Sequence, residues 1–284
     1  MTVKRNPRLL ADLSTDEAAA RLSDTSIIIQ PFGAVEHHGP HLPMSTDLVV
    51  VDEFSRAVVD DVGDELDLWL LPPLPYTKSN EHAWAAGTVW LSPETMLSMV
   101  RDIGRSLAAL PARRLVLLNG HGGNTSFLDM MCRELRLSHG LLTFLLHPSL
   151  PTDHGGEGSP LEFGLGIHGG AGETAMMLHL RPDLVDMEAA VDNVPTWLNE
   201  NEHVSFAGGA GFGWLSNDFG PTGVIGNATL ATPEMGRQLV EDGLAALADA
   251  LREISRFEFR DRGDTAGPRS VVERPSRTDR GEVA

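Results

Sequence analysis

Apolar positions in this chain fall into two spacings that alternate along most of its length. Residues 26–32 form a nearly continuous apolar run, the pattern of a short strand buried on both faces. Residues 47–62 then set Leu48, Val51, Phe54, Val58 and Val62 at helical spacing. The succession repeats, with a strand over 68–71, a helix over 93–110 opened by Ser92 and Pro93, and a strand over 114–118. A helix over 126–139 and a strand over 141–146 follow. Upstream, Ser14-Thr15-Asp16-Glu17 before Ala18, Ala19, Ala20 and Leu22 reads as a capped helix start. Strands alternating with helices predict an α/β fold with a mainly parallel sheet covered by helices. Functional loops in such folds gather at the carboxyl ends of the strands.

The pattern changes after residue 147. Residues 148–170 are dense in Pro, Gly, Ser and Asp and include His154, which predicts a long irregular loop and a candidate lid. Gly172-Glu173-Thr174 opens a further helix with Glu173 in its first turn. Residues 206–229 interleave glycines with Phe212 and Trp214, at a spacing that no phosphate-cradling loop uses. Such apolar loops do not stay in water, so residues 206–221 are expected to fold over a pocket mouth or against a neighbouring subunit. A long amphipathic helix over 233–257 follows Thr232. The expected organisation is one domain over 1–257 and a disordered polar tail over 258–284.

Composition narrows the function. The 284 residues are 42% hydrophobic, ample for one sizeable core, and the net charge of -18 argues against nucleic acid or an anionic membrane surface as partner. No apolar run reaches the ~20 residues of a bilayer span. Cys132 is the single cysteine and no secretion signal is visible, so the expected location is cytoplasmic and the expected partner a small-molecule substrate.

Two short stretches carry the chemistry. The first runs Gly33-Ala34-Val35-Glu36-His37-His38-Gly39-Pro40-His41 and is closed by Asp47; the second is Asn119-Gly120-His121-Gly122-Gly123-Asn124. Each follows a predicted strand, which brings both to one rim of the sheet. Glu36, His38, Asp47 and His121 are hard and borderline ligands in rigid loops, and a two-metal hydrolytic centre is the leading reading. Two such cations need a carboxylate between them, and a water shared by both ionises near neutral pH. His168 is a candidate general acid because its ordinary pKa of ~6.5 suits proton transfer, with a structural hydrogen bond as the alternative role. His82 and Trp214 are candidate substrate contacts, while His37 and His41 are expected to brace the loop.

Together with Gly169-Gly170-Ala171-Gly172-Glu173-Thr174 and Ser79-Asn80-Glu81-His82, these motifs make the chain resemble the creatininase (creatinine amidohydrolase) family over roughly residues 25 to 250. The resemblance implies a three-layer α/β/α domain, two divalent metal ions (Zn and/or Mn), and hydrolysis of an amide, cyclic amide or formamide-type C–N bond. It also implies a homo-oligomer, often a hexamer. Carried onto this sequence, it makes Glu36 and His121 ligands of one metal, His38 and Glu173 ligands of the other, and Asp47 the bridge. Glu173 belongs to the catalytic set as well. Creatininase itself has a glutamate ligand where this chain has Gly123, and presents tryptophans from a stretch that here, over 148–168, contains none. Creatinine is therefore not the expected substrate. Alternatives are trimming of a short peptide in cofactor maturation (mycofactocin type), opening of a cyclic ketone ring, and a non-catalytic binding module. Retention of all five candidate ligands argues against the last.

Overall fold

The structure is a computed structural model and describes residues 8–148, 162–206 and 208–260. A capping box fixes the start of α1 (Thr15–Arg21), where the Ser14 side chain accepts from the Glu17 N–H and the Glu17 carboxylate accepts from the Ser14 N–H. Four parallel strands, β1 (Ile27–Phe32), β2 (Leu68–Leu70), β3 (Arg114–Asn119) and β4 (Leu142–Leu146), pair in the order β2-β1-β3-β4. The central pairing of β1 with β3 runs from Ile27 opposite Arg114 to Phe32 opposite Asn119. Both strands therefore end at the same level, and the two sequence motifs leave the sheet side by side.

Side-chain alternation sorts the two cores. Ile27 and Ile29 of β1 face a cluster built with Val51, Phe54 and Val58 of α2 (Thr46–Leu66), Met177 of α5 (Ala171–Leu180), and Leu247 and Leu251 of α6 (Pro233–Arg256). Ile28 and Phe32 face the other side, where Met96 and Val100 of α3 (Pro93–Leu107) meet Leu128, Met131 and Leu135 of α4 (Thr125–His139). Helices thus cover both faces of the sheet, as the alternation predicts, and the result is the three-layer α/β/α arrangement that the family resemblance implies. A two-stranded antiparallel ribbon, β5 (Asp192–Asn193) with β6 (Gly226–Asn227), lies outside it. Among the described residues no helix is long and apolar enough to cross a membrane. The candidate lid falls mostly on residues 149–161 and the tail on 261–284, outside the described residues.

Helix α5 is held at close range by α6. A Cβ on Gly236 would collide with the carbonyl oxygen of Ala175 and come within 3.1 Å of the His179 Cβ. Gly236→Ala should therefore destabilise the protein, although alanine in an exposed helix gains ~1 kcal/mol over glycine. Backbone has no rotamer with which to yield, and a net loss of about 1–3 kcal/mol is expected, read as a lower urea midpoint at unchanged slope.

Candidate metal centre

Glu36 and His38 stand on the loop that leaves β1, and Asp47 is in the first turn of α2. A backbone bond from the Glu36 N–H to the Met44 carbonyl (2.9 Å) folds this loop back on itself. Gly39 makes its bend at φ +83°, and a Cβ there would strike Val224. His121 leaves β3 and is locked by Asn119, whose Nδ2 donates to the His121 carbonyl at 2.8 Å while its Oδ1 accepts from the His121 N–H at 3.2 Å. Glu173 comes from a different place, the first turn of α5, where it accepts the Gly169 N–H at 2.6 Å.

These five side chains meet. His38 Nε2 lies 3.1 Å from Asp47 Oδ1 and 4.0 Å from Glu173 Oε1. His121 Nδ1 lies 3.2 Å from Asp47 Oδ2 and 3.2 Å from Glu36 Oε1. Two groups result, Glu36–Asp47–His121 and His38–Asp47–Glu173, each with its ligand atoms within 4.8 Å of one another. Asp47 is in both and turns one oxygen to each. Glu36, His38 and His168 form a third group of the same kind.

The donor set fits divalent cations. His38 Nδ1 is 3.1 Å from the Glu36 carbonyl and His121 Nε2 is 3.0 Å from the Lys78 carbonyl, and a carbonyl can only accept. Each neutral ring therefore spends its N–H on backbone and turns its bare nitrogen toward the carboxylates, as metal-bound histidines do. Both Glu36 carboxylate oxygens and Asp47 Oδ2 are buried and make no hydrogen bond among the described residues. Buried acceptors facing acceptors require a positive charge between them. Without a metal, protons supply it: burial would depress His38, but the Asp47 carboxylate outweighs it and lifts the imidazole to about 10. His121 is raised as well, where Glu36 and Asp47 overcome burial, and Asp47 is held well below the usual carboxylate range because His38 and His121 outweigh its burial. Burial lifts Glu36, and it lifts Glu173 to about 7.

The cluster forms the floor of a cavity of about 310 Å³. Phe206, Phe212 and Trp214 line it on one stretch of chain, Gly122, Gly123 and Ser126 on another, and Ile167, His82, His168 and Glu81 are also in the lining. The aromatic loop thus folds over the pocket, one of the two placements its composition predicts. Phe206 stacks on Phe212 with centroids 5.6 Å apart and meets the Trp214 edge at 5.9 Å. The sequence-derived substrate contacts, His82 and Trp214, both line the cavity. His37 and His41 brace the loop, as expected: His37 Nε2 donates to the Thr222 carbonyl at 2.8 Å, and His41 Nε2 is 2.9 Å from Thr174 Oγ1.

His41 gives a pH prediction. Burial holds its imidazole down at about 4, whereas the unfolded chain takes up that proton near the ordinary ~6.5. The depressed native pKa means that stability is present above ~6.5 and is lost as pH falls toward about 4. Urea unfolding of metal-free protein should show His41→Gln removing about 2 kcal/mol of the decline between about pH 7.5 and about pH 5.

Glu81 is a cavity residue that the sequence did not single out. Its Oε1 is 3.3 Å from His121 Nε2 and its Oε2 is paired with Lys78 Nζ at 3.0 Å. It fills the space above Gly123: a Cβ on Gly123 would collide with Glu81 Oε1 and stand 2.5 Å from His121 Nε2. Gly123→Ala must therefore displace Glu81 or His121. Metal affinity should fall by the ~10- to 100-fold typical of a lost outer partner, and Glu81→Ala in the same chain should restore part of it. Calorimetric zinc titration of the two variants checks both effects.

Fold and cluster together define a three-layer α/β protein with a candidate divalent-cation centre at the carboxyl rim of its sheet. Comparison with known proteins makes this specific. The creatinine amidohydrolase profile matches residues 11–251. The chain belongs to the creatininase family. It is 32% identical over 260 residues to the mycofactocin precursor peptide peptidase of Mycobacterium ulcerans strain Agy99, covering 89% of this chain and 94% of that one. It is 31% identical over 264 residues to the creatinine amidohydrolase of Pseudomonas putida, covering 86% and 96%. A crystal structure of creatinine amidohydrolase superposes with a TM-score of 0.68 at 28% identity, over 89% of this chain and 100% of that one. Solved forms of creatininase include a zinc–zinc and a manganese form. These named relatives are hydrolases.

Proposed function

We propose that this protein is a binuclear metal-dependent hydrolase that cleaves an amide-type C–N bond of a small molecule or of a short peptide end. The observation that carries the reading is the pair of groups sharing Asp47, with unbonded carboxylate oxygens, at the floor of an aromatic-walled cavity. Glu36 and His121 would hold one ion, His38 and Glu173 the other, and Asp47 both. When bound, two such cations polarise a carbonyl and make a shared water acidic enough to attack at neutral pH.

The chain's own residues do the rest. Phe206, Phe212 and Trp214 exclude water and press a flat substrate toward the carboxylate floor. His168 donates its Nε2 hydrogen to the His37 carbonyl at 2.7 Å, so its neutral ring turns a bare Nδ1 toward the centre, 3.9 Å from Glu36 Oε1. Burial, reinforced by His82 and His38, keeps it neutral by lowering its pKa far below the ordinary value. A bare Nδ1 can take a proton from the attacking water and return it to the leaving nitrogen, so His168 acts as base before it acts as acid.

A peptide substrate is the second reading, favoured by the likeness to the mycofactocin precursor peptide peptidase. One experiment tests both. Protein purified without chelator is analysed for metal, loaded with zinc or manganese, and incubated with creatinine, cyclic amides, N-formyl amines and short peptides of varied sequence, with products read by mass spectrometry. Metal-dependent cleavage of an amide other than creatinine is the expected result. No bound metal, or cleavage unaffected by its removal, overturns the proposal.

A further inference from the structure

His82 and His168 lie face to face with ring centroids 4.1 Å apart, yet their hydrogen bonds have opposite polarity. His168 spends its N–H on backbone and turns a bare nitrogen inward. His82 has Nδ1 2.9 Å from Ser216 Oγ and Nε2 3.4 Å from Glu36 Oε1. Ser216 is fully buried and also takes the indole N–H of Trp84 at 2.7 Å. An indole N–H can only donate, so Ser216 is the acceptor of that bond.

The hydroxyl of Ser216 has one hydrogen left to give and two possible takers. His82 Nδ1 is at 2.9 Å and the Glu81 carbonyl at 3.4 Å, which favours the ring. The other end of His82 leads to the same answer. A hydrogen on Nε2 points a donor at the buried Glu36 Oε1, 3.4 Å away, whereas a bare Nε2 would add a further imidazole lone pair to those that His121 and His168 already turn toward that oxygen.

We propose that Ser216, held by Trp84, is a positioning residue that keeps His82 in the tautomer with its ring hydrogen on Nε2, aimed at Glu36 and the reacting end of the cavity. The inference rests on the hydrolase reading for the meaning of that end, but the tautomer itself follows from protein groups alone. A substrate then meets one imidazole donor and one imidazole acceptor stacked side by side, which orients a group having both a carbonyl and an N–H. Ser216 opens the short helical turn Ser216–Phe219, just beyond the aromatic wall.

Nitrogen-15 labelling of histidines with long-range proton–nitrogen correlation reads the protonated nitrogen of each ring directly. Spectra are taken of metal-free protein and after zinc addition, with His82 assigned by comparison with His82→Gln. Wild type should show a protonated Nε2 and a hydrogen-bonded, bare Nδ1 at His82. Ser216→Ala should leave His82 as a mixture of tautomers, Ser216→Thr should restore the single form, and Trp84→Phe, which leaves Ser216 in place, should produce a weaker mixture. A protonated Nδ1 in wild type, or an unchanged single tautomer in both Ser216→Ala and Trp84→Phe, overturns the proposal. If zinc fails to bind, the metal reading fails while the metal-free tautomer result still stands or falls by itself.

Discussion

Asp47→Asn is expected to strip both metal ions together and abolish hydrolysis. Asp47 Oδ1 faces His38 at 3.1 Å and Oδ2 faces His121 at 3.2 Å, so a single carboxylate completes both ligand groups. An amide keeps the shape but loses the charge and turns an NH₂ toward one imidazole nitrogen. The loss in affinity should exceed the ~10- to 100-fold that follows from removing an outer partner. Metal analysis after gel filtration, beside wild type, checks it. Loss of one ion with retention of the other would contradict a shared ligand.

His168→Ala should separate binding from turnover. His168 is not one of the five proposed ligands, and both groups that share Asp47 are complete without it, so metal content is expected to be unchanged. General acid–base catalysis typically contributes ~10²- to 10⁴-fold, and the rate on a cleaved substrate should fall by that amount with KM little altered. Metal must be measured in the same preparation, because Glu173 lies a few residues further along. A near-wild-type rate would make a water or the substrate the proton carrier.

The sheet and its helices were legible because burial on two faces leaves a strong mark. The run Ile27-Ile28-Ile29 cannot be an exposed strand, and in the structure its members do divide between the two cores. Ends were less legible. Helix α2 continues one turn beyond Val62, where Asp64 and Glu65 are exposed but Leu66 still packs against the core, and Asp67 closes it in the left-handed conformation. The candidate ligands on the β1 and β3 loops could be read from local chemistry, since each stands among glycines or prolines next to a strand end. Glu81 and Ser216 could not. Glu81 matters through the space that Gly123 leaves, and Ser216 through a Trp84 indole 132 residues away, and neither relation has a local signature. The polarity of His168 likewise depends on the carbonyl of His37, which no spacing rule reveals.

Four of the proposed ligands ride on the central sheet and α2, but Glu173 rides on α5, which is held in place by α6 through the close approach at Gly236. An ion held by both His38 and Glu173 would therefore be a clasp between the first half of the chain and its second half. By mass action, any ligand that binds only when the two are docked adds its binding free energy to that docking. Metal supply would then help decide how firmly α5 and α6 stay docked on the first half of the chain, so that scarcity of the ion would loosen the architecture as well as silence the chemistry.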